Sequence, residues 1–309
     1  MDHTPQQSKF RVVKRNIVNE KTKAHLAMFA FSALVSTSFT IGRAITFALE
    51  PAALTFLRFI MAIAIFAAIT IFSKNTFKFP TLKSWGRYFT LAIILVVFFI
   101  TMFEGLRWTT PLNTAAVFTL VPFLSVIVSF VALRQKLPLI GYISLFIASL
   151  AGLWIVFNGN FEHFIAFKIG KGELIFLIGC ASYSAYASAV QKLNGGDSLI
   201  NLTMWTLVAG AVILLIYGWQ SITTTQWQLV SPITYLAVGW LALFTTAISF
   251  YLIQYASLRL PSINVMAYTL LIPAFVLLQK VANGGAWPNG SVLAALAVLV
   301  SAMLVLQRA

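Results

Sequence analysis

Residues 112–122 read LNTAAVFTLVP, and residues 263–273 read INVMAYTLLIP. Each window holds an asparagine followed nine positions later by a proline, and Asn264 and Pro273 lie 151 residues after Asn113 and Pro122. A shared offset of nearly half of the 309-residue chain indicates a duplicated unit. What the protein does therefore depends on what that unit is and on which way each copy faces.

The composition is typical of a polytopic membrane protein. Of all residues, 60% are hydrophobic and 9% are charged, whereas a soluble domain averages about 25% charged residues. Apolar runs near the ~20 residues that cross a bilayer as a helix recur along the chain. We predict an all-α fold with ten transmembrane helices, over residues 25–42, 51–73, 85–106, 111–133, 139–157, 172–190, 199–218, 232–256, 262–281 and 288–306.

The basic residues predict the orientation, because short loops follow the positive-inside rule. If the N-terminus is cytoplasmic, 15 of them fall on the inner side: Lys9, Arg11, Lys14, Arg15, Lys21, Lys23, Lys74, Lys78, Lys83, Arg87, Arg134, Lys136, Lys192, Arg259 and Arg308. Five fall on the outer side, namely Arg43, Arg107, Lys168, Lys171 and Lys280. We expect a multi-pass protein of a bacterial inner membrane with both termini cytoplasmic. The net charge of +14 is then explained by the basic residues that set the orientation of the spans. We expect residues 1–23 to form a polar, loosely ordered tail that has no nucleic-acid partner.

Five spans per copy is an odd number, so the second copy must enter the membrane from the opposite side. We divide the chain into a first repeat at residues 24–158 and a second repeat at residues 159–309. The spans that contain Asn113 and Asn264 then run in opposite directions. Inverted-topology repeats of this kind are found in many secondary transporters, where the two copies enclose a central site.

Three stretches carry a family resemblance: PAALTFLRF at 51–59, EGLRWTTPLNTAAVFTLVP at 104–122 and GYISLFIASLAGLWIVF at 141–157. With them, residues 24–306 resemble the drug/metabolite transporter (DMT) superfamily, specifically proteins with two EamA-type repeats. The resemblance implies ten helices, cytoplasmic termini, a cavity between the halves and alternating access. It also implies small organic solutes, often amino acids or related metabolites, moving outward. Where family members commonly carry a Gly-Glu pair after the fourth span, this chain has Arg134-Gln135-Lys136.

Arg58 and Glu104 are the clearly intramembrane charges of the predicted spans. A charged side chain at bilayer depth is costly, so it normally faces a cavity or a partner. We expect Arg58 to contact an anionic group of the substrate, with Glu104 as its counter-ion or as a proton site. The alternative is a structural ion pair between the two, with Arg58 partly reaching the outer interface.

The asparagine and proline pairs are candidate gates and hinges. Asn113 and Asn264 begin their helices on opposite sides of the membrane, where they could bridge facing helices or serve as N-caps. Pro122 and Pro273 lie near the middle of their spans, where each removes a backbone hydrogen bond and favours a kink. A paired kink would suit a hinge, although proline kinks also occur in membrane helices without such a role.

Polar and aromatic side chains elsewhere are candidates for the lining of a cavity. Tyrosine and tryptophan offer an apolar face with a hydrogen-bonding group, which suits amphipathic solutes. The alternative is that these rings face lipid or the interface. The candidate substrate-binding residues are Ser36, Thr40, Tyr186, Trp205, Tyr251 and Tyr268.

Together these features predict a secondary-active or facilitative transporter, working as an exporter by alternating access, of small organic metabolites that are amino-acid-like or amphipathic. The alternatives are a flippase or carrier of sugar-phosphate or lipid-linked conjugates and, in another class, a membrane sensor or scaffold. We expect no enzyme, metal or cofactor, because His3, His25 and His163 are scattered and Cys180 stands alone. No phosphate-binding glycine loop occurs, so coupling would be to protons, exchange or the solute gradient. The expected partners are therefore a small-molecule substrate and membrane lipid, together with protons if transport is coupled to them. The sequence does not indicate an oligomeric state.

Overall fold

The computed structural model describes residues 5–72, 79–166 and 168–308, and of residues 5–18 and 112 it describes only the backbone. His3, Lys74, Lys78 and the expected end of the second span at residue 73 lie outside the described residues. Within the described residues the chain is helical and without strands. Residues 5–23, expected to be loosely ordered, instead begin a helix that continues as Pro5–Ile45.

Among the described residues, ten helical segments are long and apolar enough to cross a membrane, which confirms the predicted number and positions of the spans. They are Asn19–Ile45, Pro51–Phe72, Leu82–Trp108, Asn113–Leu133, Leu139–Val156, Lys171–Lys192, Leu199–Tyr217, Pro232–Ser257, Ser262–Ala282 and Gly290–Arg308. Short helices outside the spans are Phe161–Ile165, Trp219–Thr224 and Trp227–Leu229. We call the face from which the first span enters at Asn19 the N-side, and the other face the far side.

Local signals explain where several spans begin. Thr81 and Ser198 accept hydrogen bonds from backbone N–H groups of the third and seventh helices, and Thr110 does so for the fourth. Pro111 follows Thr110 at the first helical position, where a missing N–H is harmless. Because Thr110 caps the fourth helix, the N-cap role considered for Asn113 is wrong.

The ninth helix starts differently. It begins at Ser262 after Pro261, and no side chain caps it. Asn264 lies two residues inside this helix, so the N-cap role considered for it is also wrong. Its backbone carbonyl instead accepts a hydrogen bond from Gln307 Nε2 of the tenth span at 3.1 Å.

The two copies pack as an inverted pair. The second span packs on the seventh, the fourth on the ninth and the fifth on the tenth, so equivalent helices meet each other. The third packs on the sixth and the eighth on the first, which are equivalent contacts. The rings of Phe99 and Phe250, which are 151 residues apart, stack with centroids 5.9 Å apart. Equivalent residues can touch only near the pseudo-twofold axis, so the axis passes between these two rings.

Four spans are interrupted. The fourth consists of Pro111–Phe118 and Val121–Leu133, and the ninth consists of Ser262–Ala267, a 3₁₀ turn at Tyr268–Leu271 and Ile272–Ala282. Both interruptions immediately precede the proline, as expected from the loss of its N–H and its clash with the preceding turn. The sixth span is interrupted at Ala185, and the eighth contains a π-helix at Leu243–Ile248.

Glycines let the third and sixth spans approach closely near the far side. A Cβ atom added to Gly105 would lie 2.9 Å from the carbonyl oxygen of Gly172, and one added to Gly172 would lie 2.9 Å from that of Gly105. Backbone atoms cannot move aside as a side-chain tip can. These two positions therefore accept only glycine at this helix separation.

We expect Gly105→Ala to lower the free energy of unfolding by about 1–3 kcal/mol, because the new methyl group overpacks this interface. Gly86→Ala in the same helix is the matched control, since nothing lies within 4 Å of its added Cβ. Thermal unfolding of the detergent-solubilised protein measures both. Equal melting temperatures for the two variants would contradict the proposed role of the glycine contact.

Candidate functional site

A small cavity lies at the centre of the molecule, between the first, third, sixth and eighth spans. Its volume is about 10 Å³, the space of about one water molecule. Its lining is largely aromatic and consists of Phe31, Val35, Ser38, Phe39, Phe98, Phe99, Met102, Tyr183, Thr245, Ser249 and Phe250. The stacked pair Phe99 and Phe250 belongs to this lining, so the cavity lies on the pseudo-twofold axis.

Arg58 of the second span is fully buried and lies behind this lining, in contact with the lining residues Thr245 and Phe99. Its Nε donates to Thr246 Oγ1, and its Nη2 donates to the carbonyl oxygen and to Oγ1 of Thr245, both at 2.7 Å. Its guanidinium carbon lies 4.2 Å from the ring centroid of Phe99, a separation at which a cation is attracted to the ring face. Nη1 has no hydrogen-bond partner among the described residues. One face of a buried charge is thus left for another ligand.

The π-helix of the eighth span creates the acceptors for Arg58. An α-helix ties each carbonyl to the N–H four residues on, and a wider turn loosens that pairing. The carbonyl of Thr245 lies in this turn and accepts from Arg58. The hydroxyls of Thr245 and Thr246 both donate to the carbonyl of Leu241, at 2.9 and 3.0 Å, which leaves their lone pairs for the guanidinium. π-Turns are frequent at functional sites for this reason.

A buried carboxylate joins the two copies at the far side. Glu173, at the start of the sixth span, accepts hydrogen bonds on Oε1 from Thr109 Oγ1 and from Asn113 Nδ2, the latter at 2.8 Å. Its Oε2 accepts from the backbone N–H of Gly170 at 2.9 Å. We call Thr109, Asn113 and Glu173 the far-side tie. Asn113 therefore bridges two facing helices, as the gate hypothesis expects.

Neutral side chains join the copies at the N-side. Gln135, after the fourth span, donates to Gln191 Oε1 of the sixth span at 2.9 Å and accepts from Ser262 Oγ at 2.8 Å. Gln191 in turn donates to the carbonyl of Leu260 at 2.7 Å. We call Gln135, Gln191 and Ser262 the N-side tie. Neither tie contains a full ion pair, so both can be exchanged for water at modest cost.

Comparison with known proteins identifies the family. The sequence pattern of the EamA-like transporter family matches residues 22–158 and 170–307, once in each copy. The chain belongs to the EamA-like transporter family. It is thus a transporter of the DMT superfamily, and the resemblance seen in the sequence is confirmed.

Two further comparisons agree with this EamA transporter assignment. The uncharacterized transporter YyaM of Bacillus subtilis (strain 168) is 23% identical over 227 residues, which are 73% of this chain and 74% of that protein. A solved crystal structure superposes with a TM-score of 0.74 at 18% identity, and the match covers 93% of this chain and 98% of the other. The second comparison shows a shared fold.

Glu104 of this EamA transporter does not pair with Arg58. Its Oε1 accepts from Trp108 Nε1 at 2.9 Å, and its Oε2 lies 3.7 Å from Arg107. The third helix has 27 residues, so it is about 40 Å long and exceeds the ~30 Å of hydrocarbon. A helix of this length extends past the hydrocarbon, and near its far-side end Glu104 lines a cleft of about 460 Å³. The expected Arg58–Glu104 ion pair is wrong.

Two of the other predicted site residues lie near the cavity. Tyr186 is buried one layer behind the lining: its ring lies parallel to that of Tyr183 at 6.2 Å, and its hydroxyl accepts from Gln254 Nε2 at 2.9 Å. Ser36 of the first span donates to the carbonyl of Ala33 and accepts from Gln279 Nε2 of the ninth. Neither forms part of the cavity lining itself.

The remaining predicted residues lie elsewhere. Trp205 packs on Trp85 with centroids 5.6 Å apart, toward the N-side. Tyr268 bonds to His25 Nδ1 at 3.0 Å in a groove between the first, ninth and tenth spans. Thr40 and Tyr251 are exposed on the surfaces of their helices. The structure therefore does not bring these four residues together with Arg58.

The sequence reasoning missed several central residues. Glu173 lies at the edge of the predicted sixth span, residues 172–190, and the sequence does not single it out as an intramembrane charge. Its position as the third residue of the helix is a recognisable signal, because an acidic residue there can satisfy free backbone N–H groups. Ser38 is a lining residue that helix periodicity alone could not rank above its neighbours.

The described residues include no group of three or more His, Cys, Asp or Glu side chains that could hold a metal ion. The chemistry of the cavity wall is instead that of hydroxyl groups and aromatic rings, with the guanidinium of Arg58 bonded to Thr245 of the wall. Such a wall suits a solute with an anionic end and an apolar part.

We expect Thr246→Val to lower the free energy of unfolding by about 1–3 kcal/mol, because Arg58 Nε then loses its acceptor in a buried site. Thr90→Val is the matched control: its hydroxyl bonds to the carbonyl of Gly86 in its own helix and is exposed. Thermal unfolding in detergent compares the two. A Thr246→Val protein as stable as the control would show that Arg58 does not depend on this acceptor.

Proposed function

We propose that this EamA transporter moves small carboxylate-bearing organic metabolites, such as amino acids and related compounds, by alternating access. The observation that carries the proposal is the buried guanidinium of Arg58 beside the central cavity, with Nη1 lacking a partner among the described residues. A carboxylate there would complete the hydrogen bonds of the guanidinium and offset its charge. The aromatic lining would contact the apolar part of the solute.

The small size of the cavity supports a conformational cycle. Sites for organic solutes measure about 300–1,000 Å³, far more than the about 10 Å³ present here. Solute entry therefore requires helices to separate on one side. In the proposed cycle the far-side tie breaks while the N-side tie holds, and the reverse follows after the solute has bound.

Pro122 and Pro273 are the proposed hinges of this cycle. The helix interruptions at Thr119–Leu120 and at Tyr268–Leu271 lie at equivalent places in the two copies. A segment without regular α-helical hydrogen bonds can bend at lower cost than an intact helix. Asn113 bridges to Glu173 at the far side, and Asn264 is the proposed equivalent at the N-side, where its carbonyl binds Gln307.

The proposed direction is outward, as the family resemblance implies. Among the described residues no carboxylate lines the cavity, so a proton site there is lacking and exchange or the solute gradient is the favoured driving force. Glu104 in the far-side cleft is the candidate for a proton-coupled version. The proposed location is the bacterial inner membrane with both termini cytoplasmic.

The proposal predicts counterflow of carboxylate-bearing solutes in liposomes. Purified protein is reconstituted with unlabelled solute inside, and uptake of labelled solute is followed for amino acids, their amides, hexose phosphates and neutral sugars. We expect amino acids to exchange faster than their amides, because the amide cannot pair with Arg58. Arg58→Met should lower exchange at least tenfold, and Arg58→Lys should retain part of it.

Arg308→Met is the control, because it removes an exposed arginine at the end of the tenth helix. Melting temperature establishes that each variant is folded. Wild-type exchange in the Arg58→Met protein would eliminate the role of Arg58. Exchange of hexose phosphates alone would favour the conjugate carrier, and a folded wild-type protein that moves no solute in the panel would favour the sensor or scaffold.

A further inference from the structure

Six side chains form two clusters near opposite ends of the molecule. The far-side latch consists of Glu104, Trp108 and Lys171, and the N-side latch consists of Tyr255, Arg259 and Glu20. Tyr255 follows Glu104, Arg259 follows Trp108 and Lys171 follows Glu20, each by 151 residues. This is the offset that relates Asn113 to Asn264. The two latches are therefore equivalent positions of the repeat, occupied by different chemistry.

In the far-side latch a cation of the second copy lies on a ring of the first. Lys171 Nζ, at the start of the sixth span, is 3.5 Å from the ring centroid of Trp108 at the end of the third. Trp108 Nε1 donates to Glu104 Oε1 at 2.9 Å. The contact joins the two copies through a cation and a ring face, with a carboxylate at the edge of the ring.

In the N-side latch the equivalent position at the helix start carries the opposite charge, with Glu20 in place of Lys171. Glu20, at the start of the first span, accepts on Oε2 from Arg259 Nε at 3.0 Å and from the hydroxyl of Tyr255 at 2.9 Å. The guanidinium carbon of Arg259 lies 3.7 Å from the ring centroid of Tyr255. Here the first copy supplies the anion, and the second supplies both the cation and the ring.

We propose that these clusters are paired latches that open alternately, each holding one side of the transporter closed. This inference rests on the proposed alternating-access function. Each latch joins the first helix of one copy to the third helix of the other, the helix pair that must separate for that side to open. All six side chains are at least partly exposed, so each latch can break into water and form again. Because the chemistry differs, each latch can be weakened without changing the other.

Hydrogen exchange measured by mass spectrometry tests the latches without a solute. We expect Glu20→Gln to speed amide exchange about two- to fivefold at residues 19–26 and 253–260, as loss of a partly exposed ion pair implies. Exchange should slow at residues 104–113 and 171–178, because molecules that open at the N-side are closed at the far side. Lys171→Met should have the opposite effect, with faster exchange at residues 104–113 and 171–178 and slower exchange at residues 19–26 and 253–260.

Lys21→Gln and Lys168→Gln are the matched controls, because each removes an exposed charge near a latch residue. They should leave exchange at both ends unchanged. A Glu20→Gln or Lys171→Met protein in which only the mutated end changes would overturn the proposal, since the cluster would then be a local contact.

Reducible cross-links give a second test that is read through transport. Glu20→Cys with Arg259→Cys, and separately Trp108→Cys with Lys171→Cys, are made in a Cys180→Ser background. A disulfide-containing bifunctional thiol reagent that spans the two cysteines should stop counterflow in each, and reduction should restore it. Undiminished counterflow in either fully cross-linked protein would refute the latches. If wild-type liposomes exchange no solute, the proposed function fails, whereas the hydrogen-exchange result still decides whether the latches control opening.

Discussion

An odd number of membrane crossings constrains everything else in this molecule. A copy that crosses five times ends on the side opposite to its start, so its duplicate is inverted and the two can be related only by an axis within the membrane plane. That axis brings equivalent residues together at its centre, where Phe99 stacks on Phe250. It also places equivalent helix ends at both faces of the membrane. The molecule therefore has one set of closing contacts at each face, and the two sets occupy comparable positions.

The proposed binding site breaks this symmetry. Arg58 has alanine at the position 151 residues further on, and the eighth span has a π-helix where the third is a regular helix. Nη1 of Arg58, which lacks a partner among the described residues, is therefore a feature of one copy alone. A solute with one anionic end needs such asymmetry, because it is not itself symmetric. The contacts that close the two sides need symmetry instead, since in the proposed cycle each side must open at a similar energetic cost.

The sequence predicted those features that depend on neighbouring residues. All ten spans follow from local hydropathy, and the interruptions before Pro122 and Pro273 follow from the chemistry of proline. The polar contacts did not follow. Arg58 binds threonines 187 and 188 residues away, and Glu173 binds Thr109 and Asn113 from 64 and 60 residues away. Glu104 was misplaced because apolar neighbours indicated burial, while the length of its helix carries it out of the hydrocarbon.

The π-helix at Leu243–Ile248 also fixes the phase of the helix beyond it. The third span begins at Leu82 and the eighth at Pro232, which is 150 residues later, whereas Phe99 and Phe250 beyond the π-helix are 151 apart. Between its start and this ring pair, the eighth span thus contains one residue more than the third. Each residue turns an α-helix by about 100°, so deleting one residue from this segment would rotate everything from Ser249 to Ser257 onto a new face. The single extra residue in the π-helix therefore has two effects. It positions the acceptors of Arg58, and it sets the direction in which Tyr255 points.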